Sequence, residues 1–243
     1  MSAAERSGTD LSRILAITRL QALGRRDGLL WPLVIVAIAF VVNLLVFAAI
    51  GDEALDGTEP ITGGLASIYI AALAFGAVAI SQQFPFALGM SVTRREFAAG
   101  LGLFVFGQSL LYSVILTVCQ AVENATDGWG MRLRFFGLGF IDEVGVPGQL
   151  AVYGVPMLAM SLIGVTLGTI HIHWKVNGVF ATTAGLILVL GGLAALLTWT
   201  RSWTAIWRWL ADQPVLVLFG LLPLALAAVL ALASWATLRR ATA

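Results

Sequence analysis

A chain of 243 residues in which 59% are hydrophobic and only 11% are charged falls outside the ordinary soluble class, where about a quarter of residues carry charge. Its formal net charge of +1 offers no electrostatic footprint for nucleic acid. The single cysteine, Cys119, rules out an intrachain disulfide.

A membrane crossing needs roughly 20 mostly apolar residues to match about 30 Å of hydrocarbon. Each crossing is expected to be a helix, because lipid offers the backbone no hydrogen-bond partner. Before the first such run, residues 10–26 are predicted to form an interfacial helix capped by Thr9 or Asp10. At about 100° per residue, Leu11, Ile14, Leu15, Thr18 and Ala22 share its apolar face, with Arg13 opposite. Arg13, Arg19, Arg25 and Arg26 would meet anionic lipid of the inner leaflet, or serve simply as a positive-inside anchor. The apolar run that follows is too long for the h-region of a signal peptide, so no leader is expected.

Six spans are predicted, over residues 29–50, 63–84, 96–122, 150–170, 176–199 and 214–235. The whole chain, 1–243, then reads as one transmembrane domain of all-α class. With the N-terminus inside, the cytoplasmic side collects Arg6, Arg13, Arg19, Arg25, Arg26, Arg94, Arg95, Lys175, Arg239 and Arg240. The outside receives Arg132, Arg134, Arg201 and Arg208, so the positive-inside rule places both termini in the cytoplasm. Asp52, Glu53, Asp56 and Glu59 fall in the first outer loop, which agrees in direction.

Between spans two and three lies a short charged break, Phe84-Pro85-Phe86-Ala87-Leu88-Gly89-Met90-Ser91-Val92-Thr93-Arg94-Arg95-Glu96-Phe97. Pro85 is expected to stop or turn span two, and Gly89 to permit a tight or left-handed turn. Ser91 or Thr93 would cap the next helix, with Glu96 in its favourable first turn. Phe84, Phe86 and Phe97 would offer apolar contacts, rimmed by Arg94 and Arg95. The bland alternative is a loop whose arginines meet phosphate headgroups.

On span three, Gln108, Ser109, Tyr112, Ser113, Thr117, Cys119, Gln120 and Glu123 fall within one half of the helix. Leu110, Leu111, Val114, Ile115, Val118, Ala121 and Val122 fill the other, and Leu116 is the apolar intruder. Polar groups at membrane depth face protein or water, so this half points inward, as helix–helix glue or as a pathway. The same glue reading applies to Asn43, Gly164 and Gly168. The loop over residues 124–149, with Trp129, Phe135, Phe136 and Phe140, is expected to pack on the outer face. His171 and His173 read as a polar turn, or as a pair able to share a metal on an extended segment.

After span five, Trp199, Trp203, Ile206, Trp207 and Leu210 share one face and Arg201, Thr204, Arg208 and Asp212 the other. That pattern marks an interfacial or re-entrant outer helix. Pro214 then starts span six.

Several chemistries are absent from the sequence. The only lysine, Lys175, stands between Trp174 and Val176, so a Gly-x4-Gly-Lys-Ser/Thr phosphate loop is missing. The histidine spacing does not fit His-Glu-x-x-His, and no Gly-x-Ser-Gly is present. No catalytic, cofactor-binding or metal-binding residue is assigned.

The arrangement resembles the permease subunits of type-2 ABC exporters, particularly short actinobacterial-like forms, over nearly its whole length. The matching parts are the basic N-terminal segment, the six spans and the outer amphipathic segment. In sequence they are Phe84-Pro85 through Gly89, Thr93, Arg94, Arg95 and Phe97, then Glu123 and Thr126-Asp127-Gly128-Trp129-Gly130. The resemblance implies that the interfacial helix and the Phe84–Glu96 break rest on a separate cytoplasmic ABC ATPase, which would hold ATP and Mg. That contact would use Phe84, Pro85, Phe86, Gly89, Thr93, Arg94, Arg95 and Glu96. A second copy or a sister permease would complete the path. Gln108, Ser109, Tyr112, Ser113, Thr117, Gln120 and Glu123 would then line the path or the dimer interface. A multi-pass location in a bacterial cell membrane follows, with the arginine-over-lysine bias pointing to a high-GC genome. Two other classes stay open: a stand-alone channel or ion-coupled carrier using Glu123 and the polar face, and a non-transporting immunity or sensory membrane protein.

Overall fold

The computed structural model describes residues 26–50, 62–89, 92–137, 141 and 144–240. The predicted interfacial helix, apart from Arg26, and the acidic first outer loop lie outside the described residues, as do Ser91 and Phe140. Among the described residues the chain is almost entirely helical and holds no strand. Helix α1 covers Arg26–Ile50, α2 Ala66–Val78, α3 Phe84–Gly89 and α4 Arg94–Ala125. Helix α5 runs Gly145–Trp199, α6 Trp203–Ala211 and α7 Leu222–Arg240.

Five helical stretches are long and apolar enough to cross a membrane: Leu29–Ile50, Ala66–Ala87, Arg94–Ala125, Gly145–Trp199 and Val217–Thr237. The fourth has 55 residues, about 80 Å at ~1.5 Å per residue, far more than one bilayer. Its backbone leaves helical geometry at Lys175, with φ 55° and ψ −151°, so it consists of two helical halves. No residue of the second half, 176–199, is buried.

Two wide π-helical turns, Ala79–Gln83 and Val217–Leu221, share a cause. Each lies just ahead of a proline, Pro85 or Pro223. A proline has no N–H to donate, and its ring crowds the carbonyl four residues back. In both cases that carbonyl, of Ser81 or Phe219, falls inside the widened turn. Pro85 therefore does not end span two as expected: the helical path continues through α3.

Helix α5 is the hub and packs against α2, α4 and α7. In lipid there is no water to expel from between helices, so close van der Waals packing through small residues holds them together. A Cβ at Gly164 would overlap the Leu73 carbonyl, and one at Gly76 the Ser161 carbonyl; at Gly168 it would come within 2.7 Å of the Ala77 carbonyl. Gly164 and Gly168 are thus the contact points of α5 with α2. One core cluster gathers Ile68, Tyr112, Leu116, Phe135, Tyr153 and Met157. The other gathers Ile80, Phe84, Phe97, Leu101 and Val165.

Helix α6 buries none of its residues, and Trp203 Nε1 donates to Thr198 Oγ1 at 3.0 Å, pinning it to the end of α5. His171 and His173 lie within α5 rather than on an extended turn. Two residues apart on a helix, they point about 200° apart and cannot share an ion. His173 Nδ1 lies 3.2 Å from the Thr169 carbonyl.

Candidate functional site

The turn between α2 and α4 is held from inside. Thr93 is the N-cap of α4, in extended geometry at φ −74° and ψ 150°. Its Oγ1 accepts from the Glu96 N–H at 3.3 Å, while Glu96 Oε2 accepts from the Thr93 N–H at 2.9 Å and the Thr93 hydroxyl at 2.8 Å. This reciprocal capping box satisfies donors that a helix start leaves open. Below it, the rings of Phe84 and Phe97 meet edge to face with centroids 5.3 Å apart, a favoured aromatic geometry. The Val92 N–H reaches back to the Ala87 carbonyl at 3.2 Å.

These bonds divide the predicted contact residues. Phe84 is 3% exposed and Glu96 7%: both shape the turn from within, as does Phe97, so none of the three lies open as an apolar or charged contact. Pro85, Phe86, Gly89, Thr93 and Arg95 are exposed, and Arg94 is half-buried. Phe86 stands out, at 61% exposed. Gly89 does not have a positive φ and a Cβ there would meet nothing. The left-handed turn expected at Gly89 is absent, because α3 carries on through it.

The polar half of α4 is interior. Gln108, Ser109, Tyr112, Ser113, Thr117, Gln120 and Glu123 are all buried, while Leu110, Leu111, Val114, Val118 and Val122 are exposed. Leu116, the intruder, is buried with the polar set. Ser109, Ser113 and Thr117 donate to carbonyls one turn back, at Val105, Leu110 and Ser113, which satisfies them without a partner helix. The Tyr112 hydroxyl donates to the Leu29 carbonyl of α1 at 2.9 Å and accepts from Gln108 Nε2 at 3.1 Å. Ser113 faces Gly154 of α5, where a Cβ would sit 3.1 Å from the Ser113 Cβ.

Glu123, at the end of this stripe, is fully buried. Its Oε2 accepts from the Phe135 and Phe136 N–H groups, each at 3.0 Å, and from Trp129 Nε1 at 3.1 Å. Its Oε1 accepts from the Gly137 N–H at 2.7 Å. One side chain thereby satisfies three buried loop amides, which would otherwise be costly to leave unpaired. The Tyr153 hydroxyl adds a tie from α5, 2.7 Å from the Phe136 carbonyl and 2.9 Å from Gln120 Oε1. Phe40 of α1 contacts Trp129, Phe135 and Phe136 at centroid distances of 4.8, 5.2 and 5.3 Å. The loop is thus a cap sealed onto one end of the bundle. Its entry is sharply bent: Asp127, Trp129 and Arg132 have positive φ, as do Gly128 and Gly130.

Sequence periodicity found Glu123 but not its partners, since backbone amides leave no signature in the sequence. It also missed an open groove of about 570 Å³ between α2, α5 and the turn before α7. Tyr69, Tyr153, Pro156, Met160, Phe219 and Pro223 are among its lining residues, and none of the described lining residues is acidic or basic. Among the described residues no group of three metal-ligating side chains occurs. No family model matches the chain, and neither a curated protein nor a solved structure is similar to it.

Proposed function

We propose that this chain is the transmembrane permease subunit of an ABC transporter, working as an exporter in a bacterial cell membrane. A separate cytoplasmic ATPase would supply the work. The observation that carries the reading is the braced turn between α2 and α4. A short helix, α3, is held by the Phe84–Phe97 pair and the Val92–Ala87 bond next to the capped start of α4, and it leaves Pro85 and Phe86 exposed. A rigid turn of this kind suits the transfer of force from a docked subunit into two membrane-crossing helices at once. The missing phosphate-loop lysine supports the division of labour.

The break at Lys175 supports a count of six crossings, with both termini cytoplasmic. A second copy or a sister permease would complete the path. A channel or carrier through the polar half of α4 is the weaker reading, since those side chains already bond and pack within this chain. The permease reading is tested by labelling. In a Cys119→Ser background, Phe86→Cys should react with a membrane-impermeant maleimide from the cytoplasmic face, and the bound ATPase should slow that reaction. Labelling from the outside only would contradict the topology.

A further inference from the structure

We infer that the slot between the start of α4 and the end of α7 binds one anionic phospholipid, with its phosphate on Arg95 and one acyl chain inside. The slot is about 260 Å³ and is walled by α4, α5 and α7. That is just below the ~300 Å³ at which ordinary small-molecule pockets begin, so it suits a single flexible chain rather than a bulky rigid molecule.

The lining of the slot sets both ends of its occupant. On α4 it follows Arg95, Ala98, Gly102 and Val105, a stripe at helical spacing. Ten residues rise about 15 Å, half of the ~30 Å hydrocarbon core, so the stripe is as deep as one leaflet. Among its described lining residues the charged one is Arg95, at the mouth, exposed and with no bond from a described residue. Trp235 of α7 stands at the same mouth, 43% exposed, as indole rings do at headgroup depth. Below, Ala98, Gly102 and Ala231 leave room where larger side chains would close it. Ser234, the polar residue of the wall, is buried and lies 3.0 Å from Thr166 Oγ1. Thr166 gives its proton to the Leu162 carbonyl, so the Ser234 proton is spent on Thr166 and the wall presents no free hydroxyl donor. A cation at the surface above an apolar slot one leaflet deep matches a phosphate above an acyl chain. The inference needs only that the chain is embedded in a bilayer, and stands apart from the permease reading.

The test is native mass spectrometry of the full chain in maltoside detergent, titrated with dioleoyl-phosphatidylglycerol or dioleoyl-phosphatidylcholine. One phosphatidylglycerol per chain should be retained, preferred about fivefold to tenfold over phosphatidylcholine, the scale of one arginine near a charged lipid surface. Arg95→Gln should abolish the preference and Arg95→Lys should keep most of it. Gly102→Leu should remove the retained lipid of either kind. A Cβ at Gly102 meets nothing within 4 Å and leucine is the better helix former, so the slot fills without disturbing the fold. As a measurement that needs no variant, phosphatidylglycerol carrying a diazirine in its acyl chain should label peptides containing residues 98–105 and 231–235. Three results would overturn the inference: lipids adding without saturation or headgroup preference, undiminished binding to Gly102→Leu, or labelling confined to other helices.

Discussion

The Gly137 N–H donates to Glu123 Oε1 at 2.7 Å across fourteen residues of chain, and this bond closes the cap over one end of the bundle. Glycine fits there because a Cβ at position 137 would come within 3.1 Å of the same oxygen. Glu123→Ala would strand three loop amides and the Trp129 indole. The expected loss is several kcal/mol, since each buried donor left unpaired costs about 1–3 kcal/mol. Glu123→Gln keeps the shape but turns an amide NH2 toward donors, and should cost about 1–3 kcal/mol. Thermal unfolding of the purified chain in detergent checks both. Equal stability of wild type and Glu123→Ala would remove Glu123 from its structural role.

The brace of the α2–α4 turn makes a graded prediction. Thr93→Ala removes the cap and should cost about 1 kcal/mol, with Thr93→Ser near neutral. Phe84→Ala opens a cavity beside Phe97 and should cost about 3–5 kcal/mol. Phe86→Ala, at the exposed neighbour, should leave stability unchanged within roughly 0.5 kcal/mol. Denaturant titration in mixed micelles gives the order; a Phe86 effect as large as that of Phe84 would contradict the inside–outside division.

Glycine positions offer an internal control. Gly164→Ala drives a methyl into the Leu73 carbonyl and should cost about 1–3 kcal/mol by forcing α2 and α5 apart. At Gly191 a Cβ meets nothing within 4 Å, so Gly191→Ala should be neutral or stabilise by up to about 1 kcal/mol through helix propensity. Melting temperatures of the pair decide, and a reversed order would refute the packing described for α5.

The sequence was most legible where a single physical constraint dominated. Apolar run length located the long helices, and the 100° period separated Gln108, Ser109 and Tyr112 from Leu110 and Leu111. Thr93 and Glu96 were readable because a capping box is local. Boundaries drifted where helices outran their apolar runs: α4 begins at Arg94 and ends at Ala125, and α5 begins at Gly145. Pro85 did not stop the helix, because a wide turn upstream absorbed it and the path stayed helical. Phe84 and Phe86 were indistinguishable in sequence, since which aromatic turns inward depends on Phe97 across the turn. The Glu123 cradle was unreadable for a related reason, its partners being main-chain amides of a loop.

The measurement that bears most directly on the permease reading is co-purification of the tagged chain with a co-expressed ABC ATPase from the same cell, followed by ATP turnover in lipid nanodiscs. A stable complex with ATP hydrolysis is expected, weakened severalfold by Phe86→Ala while membrane insertion is unchanged. A chain that captures no ATPase and moves its substrate on an ion gradient alone would contradict it.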